Sequence, residues 1–211
     1  EYLKKQIADL NDERVISVSL DMTDEEGVRK FVAEHPNING VVNSLYPRNK
    51  TYGQHFYDVS LSSFNENVSL NLGTTFLLMQ CCAKSFSETN IPLSFVNISS
   101  IYGVIAPDFK IYKDTPMTMP IEYAAIKSAQ LHLSTYVSSY VGNSRFRINS
   151  VSPGGLLDSQ PNEFVNAYND KCHGTGMLNV KDISGSVIFL LSDQSNYVTG
   201  QNIIVDDGFT I

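Results

Sequence analysis

The sequence predicts an α/β chain built on a doubly wound, Rossmann-like parallel sheet. Three observations predict it. Short apolar runs alternate with helix-compatible segments along the chain, the pattern of parallel crossovers. At 211 residues the chain suits one domain, residues 1–211, with length enough to bury a core. Three apolar runs end in small or turn-forming pairs, Asn43-Ser44, Ser99-Ser100 and Pro153-Gly154. In open parallel sheets, ligands bind beyond such carboxyl ends.

Residues 1–10 read as the tail of a helix, and residues 15–20 (Val-Ile-Ser-Val-Ser-Leu) as a strand. Thr23-Asp24-Glu25-Glu26 opens a helix with acids in its first turn and an apolar face of Val28, Phe31 and Val32. Asn39-Gly40 leads into a short strand at 41–43, and a long helix spans roughly 61–88. A buried strand at 93–99 is followed by a loop and a helix that ends near Gly142-Asn143. A strand at 146–151 closes on Pro153-Gly154-Gly155. A helix at roughly 180–192 then precedes the last strand at 202–206. A dinucleotide fold begins with a strand, a glycine-rich turn and a helix. Nothing near Glu1 fits, and Gly174-Thr175-Gly176 follows no strand. The expectation is an N-terminally incomplete sheet, with one strand-helix-strand unit belonging upstream.

Fifteen basic against 22 acidic residues give a net charge of −7, which argues against a nucleic-acid or anionic-membrane partner. No apolar run approaches the ~18 residues of a membrane span. Three cysteines are too few for a disulfide framework and read as thiols of a reducing cytoplasm. His35, His55, His132 and His173 are scattered, so no metal site is expected.

The stretch Pro120-Ile-Glu-Tyr123-Ala-Ala-Ile-Lys127 sets a phenol and an amine four residues apart. In a chain with 11 tyrosines that spacing also arises by chance, and it recurs at Tyr46 and Lys50. Tyr46 precedes a proline, which disfavours helix, so Tyr46 and Lys50 do not share a helix face. Around Tyr123 the neighbours favour helix, and positions i and i+4 lie on one face. Only Tyr123 and Lys127 are placed to act together.

With these motifs in order, the chain resembles the short-chain dehydrogenase/reductase family in its compact branch, from about Asp21 to Gly208. Asp21 stands where the family has an adenine-pocket aspartate, and Val41-Val42-Asn43-Ser44 where it has an Asn-Asn-Ala-Gly strand end. Asn71 matches a mid-helix asparagine, and Asn97-Ile98-Ser99-Ser100 the serine-bearing strand. Tyr123 and Lys127 match Tyr-x-x-x-Lys, Pro153-Gly154 the Pro-Gly segment, and 199–208 the C-terminal strand. The resemblance implies catalytic Asn71, Ser100, Tyr123 and Lys127. It implies cofactor contacts from Asp21, Asn43, Ser44, Tyr123, Lys127, Pro153 and Gly154 to NAD or NADP.

It also implies a small-molecule alcohol or ketone substrate, sugars among the candidates, and a homodimer or homotetramer formed through the apolar helix faces at 70–82 and 131–141. The pattern is similar to bacterial oxidoreductases of flagellin or surface-sugar modification. Bland roles stay open for several of these residues: Asp21 as a helix cap, Asn43-Ser44 and Pro153-Gly154 as turns, Asn71 as a packing kink, and Ser99 in place of Ser100. Four departures stand out. The glycine-rich loop is not in this sequence, Ser44-Leu45-Tyr46 makes a bulkier cofactor floor, Asp158 replaces a common threonine, and the insert at 101–122 is long.

Reducing a ketone needs a proton for the oxygen. Tyr123 supplies it as general acid, or removes it as base in oxidation. Ionising a free tyrosine at neutral pH costs about 4 kcal/mol, and a cation such as Lys127 offsets much of that. Ser100 would hold the substrate oxygen. By the resemblance, Lys127 also holds the nicotinamide ribose, and Asn71 anchors a water leading from Lys127 to solvent. Two alternatives remain: a sugar-nucleotide epimerase or dehydratase with a similar Tyr/Lys pair, and a non-catalytic cofactor sensor or scaffold.

Overall fold

The structure is a computed structural model and describes residues 12–211. The helix expected at 1–10 lies outside the described residues. Helix α1 spans Glu25–Glu34, with Asp24 as N-cap accepting from the Gly27 N–H. Strand β1 is Gly40–Asn43. Helix α2, Leu61–Val68, runs through a π-turn at Ser69–Gly73 into α3, Thr74–Thr89. Strand β2 is Leu93–Ile98 and helix α4 is Ile121–Val141, closed by Gly142 in the left-handed conformation. Strand β3, Phe146–Pro153, is followed by helices α5, Asn162–Asn169, and α6, Ser184–Leu191, and by strand β4, Asn202–Val205.

The four strands form one parallel sheet in the order β1-β2-β3-β4. Alternate side chains serve its two faces. Phe95, Phe146 and Ile148 meet Met79, Cys82 and Phe86 of α3 and Leu133 and Val137 of α4. Val96 and Val151 meet Leu190 of α6 on the other face. Every residue of β3 is buried, as expected of a central parallel strand. Helix α1 packs on α3 through Val28, Val32, Leu77 and Cys81. A further cluster, with Tyr102, Tyr112, Phe164 and Tyr168, gathers the loops around it.

One expectation is corrected and one refined. Residues 15–20 form no strand among the described residues, and Ile16 is 80% exposed. A strand needs a ladder partner for its backbone groups, and alternating side chains alone do not supply one. The long helix expected at 61–88 is present without interruption and is refined by a π-turn, whose wider ring takes up one extra residue at Asn71. Helix α5 had no clear sequence signal. No described helix is long and apolar enough to cross a membrane.

Candidate active site

The carboxyl ends of the strands open into a cleft of about 370 Å³, lined in part by Ser44, Tyr46, Ser100, Tyr123, Lys127 and Gly154. Lys127 is 4% exposed, and its Nζ donates to the Ile98 carbonyl at the tip of β2, 2.8 Å away. The same ammonium stands 5.6 Å from the Tyr123 ring centroid. Burial pushes the Lys127 pKa down to about 8.

Burial also raises the Tyr123 phenol above its usual value, while Ser100, acting as a hydrogen-bond partner, pulls it back. Desolvation, rather than the Lys127 charge, governs Tyr123 in this fold. The phenol is therefore held in its proton-donating form at neutral pH.

Ser99 and Ser100 divide two tasks. The Ser99 hydroxyl donates to the Lys127 carbonyl at 3.1 Å. Ser100 begins a short 3-10 turn, its Oγ accepting from the Tyr102 N–H at 3.2 Å, and lines the cleft. Gly103 lets this turn lie on α4: a Cβ there would meet the Lys127 carbonyl carbon and oxygen at 2.8 Å.

Asn71 sits in the π-turn, 2% exposed, and accepts from Gln130 Nε2 at 3.2 Å. Gln130 also donates to Thr75, which accepts from Asn43 Nδ2 in turn. Asn43 donates to Asn97 at 2.9 Å and accepts from the Leu45 N–H. These amides tie β1, β2, α3 and α4 together beneath the cleft. The Asn43 side chain is thus occupied within the protein. Ser44, next in the chain, reaches the cleft.

Asp21 is not among the lining residues; its carboxylate accepts from the backbone N–H and hydroxyl of Thr23, at 2.8 and 2.7 Å. It leads into α1, but the N-cap is Asp24. Asp158 is likewise outside the cleft, with its N–H donating to Gln160. Pro153 and Gly154 line the cleft, and the Gly154 N–H continues the ladder to the Val205 carbonyl at 2.8 Å. A Cβ on Gly154 would meet Tyr168 Oη at 2.7 Å and Asp206 Cβ at 3.0 Å.

Tyr46 and Lys50 form no helical pair, yet the structure brings Tyr46 to the site. Its ring lies edge-on to Tyr123, centroids 5.5 Å apart, and its hydroxyl donates to Tyr52 at 2.6 Å. Tyr102 and Tyr112 also line the cleft, Tyr112 donating to Tyr102 at 3.0 Å. The bulk of Ser44-Leu45-Tyr46 was the signal for Tyr46. Glu122 had no such signal. It is fully buried, and neither carboxylate oxygen has a hydrogen-bond partner among the described residues.

The donors present fit the nicotinamide end of a dinucleotide. The Lys127 ammonium spends one N–H on Ile98 and keeps two more, and Gly154 presents bare backbone at the cleft wall.

A family model described as enoyl-(acyl carrier protein) reductase matches residues 1–210. The post-translational flagellin modification protein A of Campylobacter coli is 36% identical over 212 residues, 98% of this chain and 82% of that protein. An NAD-dependent glycerol dehydrogenase of Listeria innocua is 25% identical over 100% of this chain and 81% of its own. Among solved structures, a short-chain dehydrogenase of Leptospira borgpetersenii with bound NAD+ superposes with a TM-score of 0.86 at 31% identity, covering 95% of this chain and 78% of that one. The buried lysine beside a protonated phenol at a parallel sheet's edge thus has its explanation in descent: the chain belongs to the short-chain dehydrogenase/reductase family of nicotinamide-dependent oxidoreductases.

Proposed function

We propose that Ser100, Tyr123 and Lys127 carry the interconversion of an alcohol and a ketone in this cleft. The observation that supports this reading is their convergence: Tyr123 and Lys127 on one face of α4, Ser100 on the turn beyond β2, all three lining one cavity. The dinucleotide, NAD or NADP, supplies or takes up the hydride when bound. Ser100 and Tyr123 hold the substrate oxygen between two hydroxyls. In reduction Tyr123 gives that oxygen its proton; in oxidation it takes the proton back. Lys127 stabilises the phenolate left behind and offers its two free N–H groups to the ribose. Ser44, Pro153 and Gly154 shape the nicotinamide wall. Asn43 and Asn71 hold the strand ends and α4 in register, Asn71 also anchoring a water on the Lys127 side. Asp21 is assigned to the adenine end.

The similarity to an L-xylulose reductase and an L-rhamnose-1-dehydrogenase directs the substrate search to carbonyl sugars and their neutral relatives. We read the chain as a single domain of a cytoplasmic homo-oligomer. Phe76 of α3 and Tyr136 and Tyr140 of α4, 48%, 60% and 80% exposed, are the apolar surface for self-association. The test is absorbance of the reduced nicotinamide, with NADH or NADPH and a ketone panel. Ketone-dependent oxidation is the expected result. Tight dinucleotide binding without turnover across the panel would instead mark a sensor.

A further inference from the structure

The reactive end of the cleft has an unusual charge balance. Among the described lining residues, Lys127 alone carries a charged side chain. Its ammonium is bound to Ile98 and turned toward Tyr123. The rest of the wall is phenols, methionines, aliphatic side chains, prolines and glycines, with Phe164, small hydroxyls and Gln160. Arg48 stands 5.3 Å over the Tyr46 ring but is outside the lining. Asp108 and Lys171 are paired with each other at 2.6 Å. A carboxylate or phosphate at the reacting centre would lose its water and find no cation among the described lining residues beyond Lys127, which disfavours it. The net charge of −7 adds a field unfavourable to anions.

Neutral hydroxyls are well provided for. Tyr46 lines the cleft edge-on to Tyr123, and its proton is committed to Tyr52 at 2.6 Å. Arg48 is a further hydrogen-bond partner of the Tyr46 phenol, and an oxygen that donates to Tyr52 and accepts from Arg48 keeps one lone pair for an incoming donor. Burial is the main cause that raises the Tyr46 and Tyr52 phenols, and the Glu122 carboxyl adds to it, so Tyr46 stays neutral. An uncharged acceptor beside the proton donor suits a hydroxyl on the carbon next to the carbonyl.

Resting on the oxidoreductase reading above, we propose that this cleft selects an uncharged, hydroxyl-bearing ketone or the corresponding diol, and that Tyr46 is the specificity-determining residue that accepts from the neighbouring hydroxyl. Tyr46, Tyr102 and Tyr112 line the cleft together with Tyr123, a phenol-rich wall that suits a ring of cyclic-polyol type.

The test compares kcat/KM of the full chain, with reduced dinucleotide, for cyclohexanone, 2-hydroxycyclohexanone and 4-oxocyclohexanecarboxylate. The hydroxyketone is expected to exceed cyclohexanone about tenfold, the worth of one hydrogen bond. The carboxylate is expected to fall about 100-fold or more below cyclohexanone. Tyr46→Phe brings the hydroxyketone-to-ketone ratio to about one, and Tyr52→Phe lowers it part-way. A merely structural role would lower both rates together and leave the ratio intact. An unchanged ratio in Tyr46→Phe, or a carboxylate turned over as fast as cyclohexanone, overturns the proposal. Turnover of none of the three by a protein that binds the dinucleotide overturns the oxidoreductase reading itself, and this proposal with it.

Discussion

Lys127 and Ile98 are joined by a 2.8 Å hydrogen bond from the ammonium to the carbonyl that ends β2. That bond pins a buried cation between the sheet and the acid that it serves. The fold pays for it in desolvation, and the expected consequence is a pH-dependent stability. Lys127 has a folded pKa of about 8 against an ordinary 10.5. Between those values the unfolded chain holds more protons than the folded one, so stability rises with pH. Above pH 10.5 the penalty is absent, and below pH 8 it applies in full, at most about 3 kcal/mol. Lys127→Met should therefore unfold at higher denaturant than the wild type at pH 7. The two midpoints should converge as pH climbs through that window. A constant gap across the window would show that Lys127 titrates normally.

The same titration bears on rate. Ketone reduction requires the Tyr123 proton and the Lys127 charge. Burial keeps the first in place, and the second is lost above about pH 8. kcat/KM for reduction, which reports the free enzyme, should be flat below that pH and decline above it. A profile that still rises beyond pH 9 would mean that Lys127 charge is dispensable.

Tyr123→Phe removes the proton donor and keeps the ring that packs against Tyr46. Turnover should fall by about 10²–10⁴, the range for losing a positioned general acid. Dinucleotide affinity by fluorescence titration should change little. Turnover close to wild type would refute the acid/base assignment.

Local signals made much of this fold legible. Pro120, the alanines and Gly142 marked α4, and the apolar runs marked the sheet. The run at 15–20 misled because alternation reports which faces are apolar, not whether a neighbour exists to pair with. The π-turn at Asn71 shifts a helical pattern by a single residue, too little to read from periodicity. The Tyr123–Lys127 pair was visible because it lies on one helix face. Tyr46 was not, since it meets Tyr123 only through the fold. Glu122 was hidden by expectation: a glutamate near a helix start reads as solvated, yet the row Glu122, Ile126, Gln130 faces inward.

Gly154→Ala tests the cofactor wall. The added methyl would press on the Tyr168 hydroxyl and the backbone of Asp206, both in the packed interior. Overpacking of this kind costs about 1–3 kcal/mol. The unfolding midpoint should drop accordingly, and dinucleotide affinity should weaken with it. An alanine variant as stable as the wild type would show that the β3 end relaxes freely.

Glu122→Met probes the buried carboxyl behind the phenols. Both of its oxygens lack donors among the described residues, and the residue is fully buried. An unsatisfied buried polar group costs about 1–3 kcal/mol, more if charged. A methionine of similar volume makes no such demand, so the variant should be more stable than the wild type by that order. Chemical denaturation measures the gain. A less stable variant would show that the carboxyl is satisfied by donors the fold brings to it, and would make Glu122 a structural anchor.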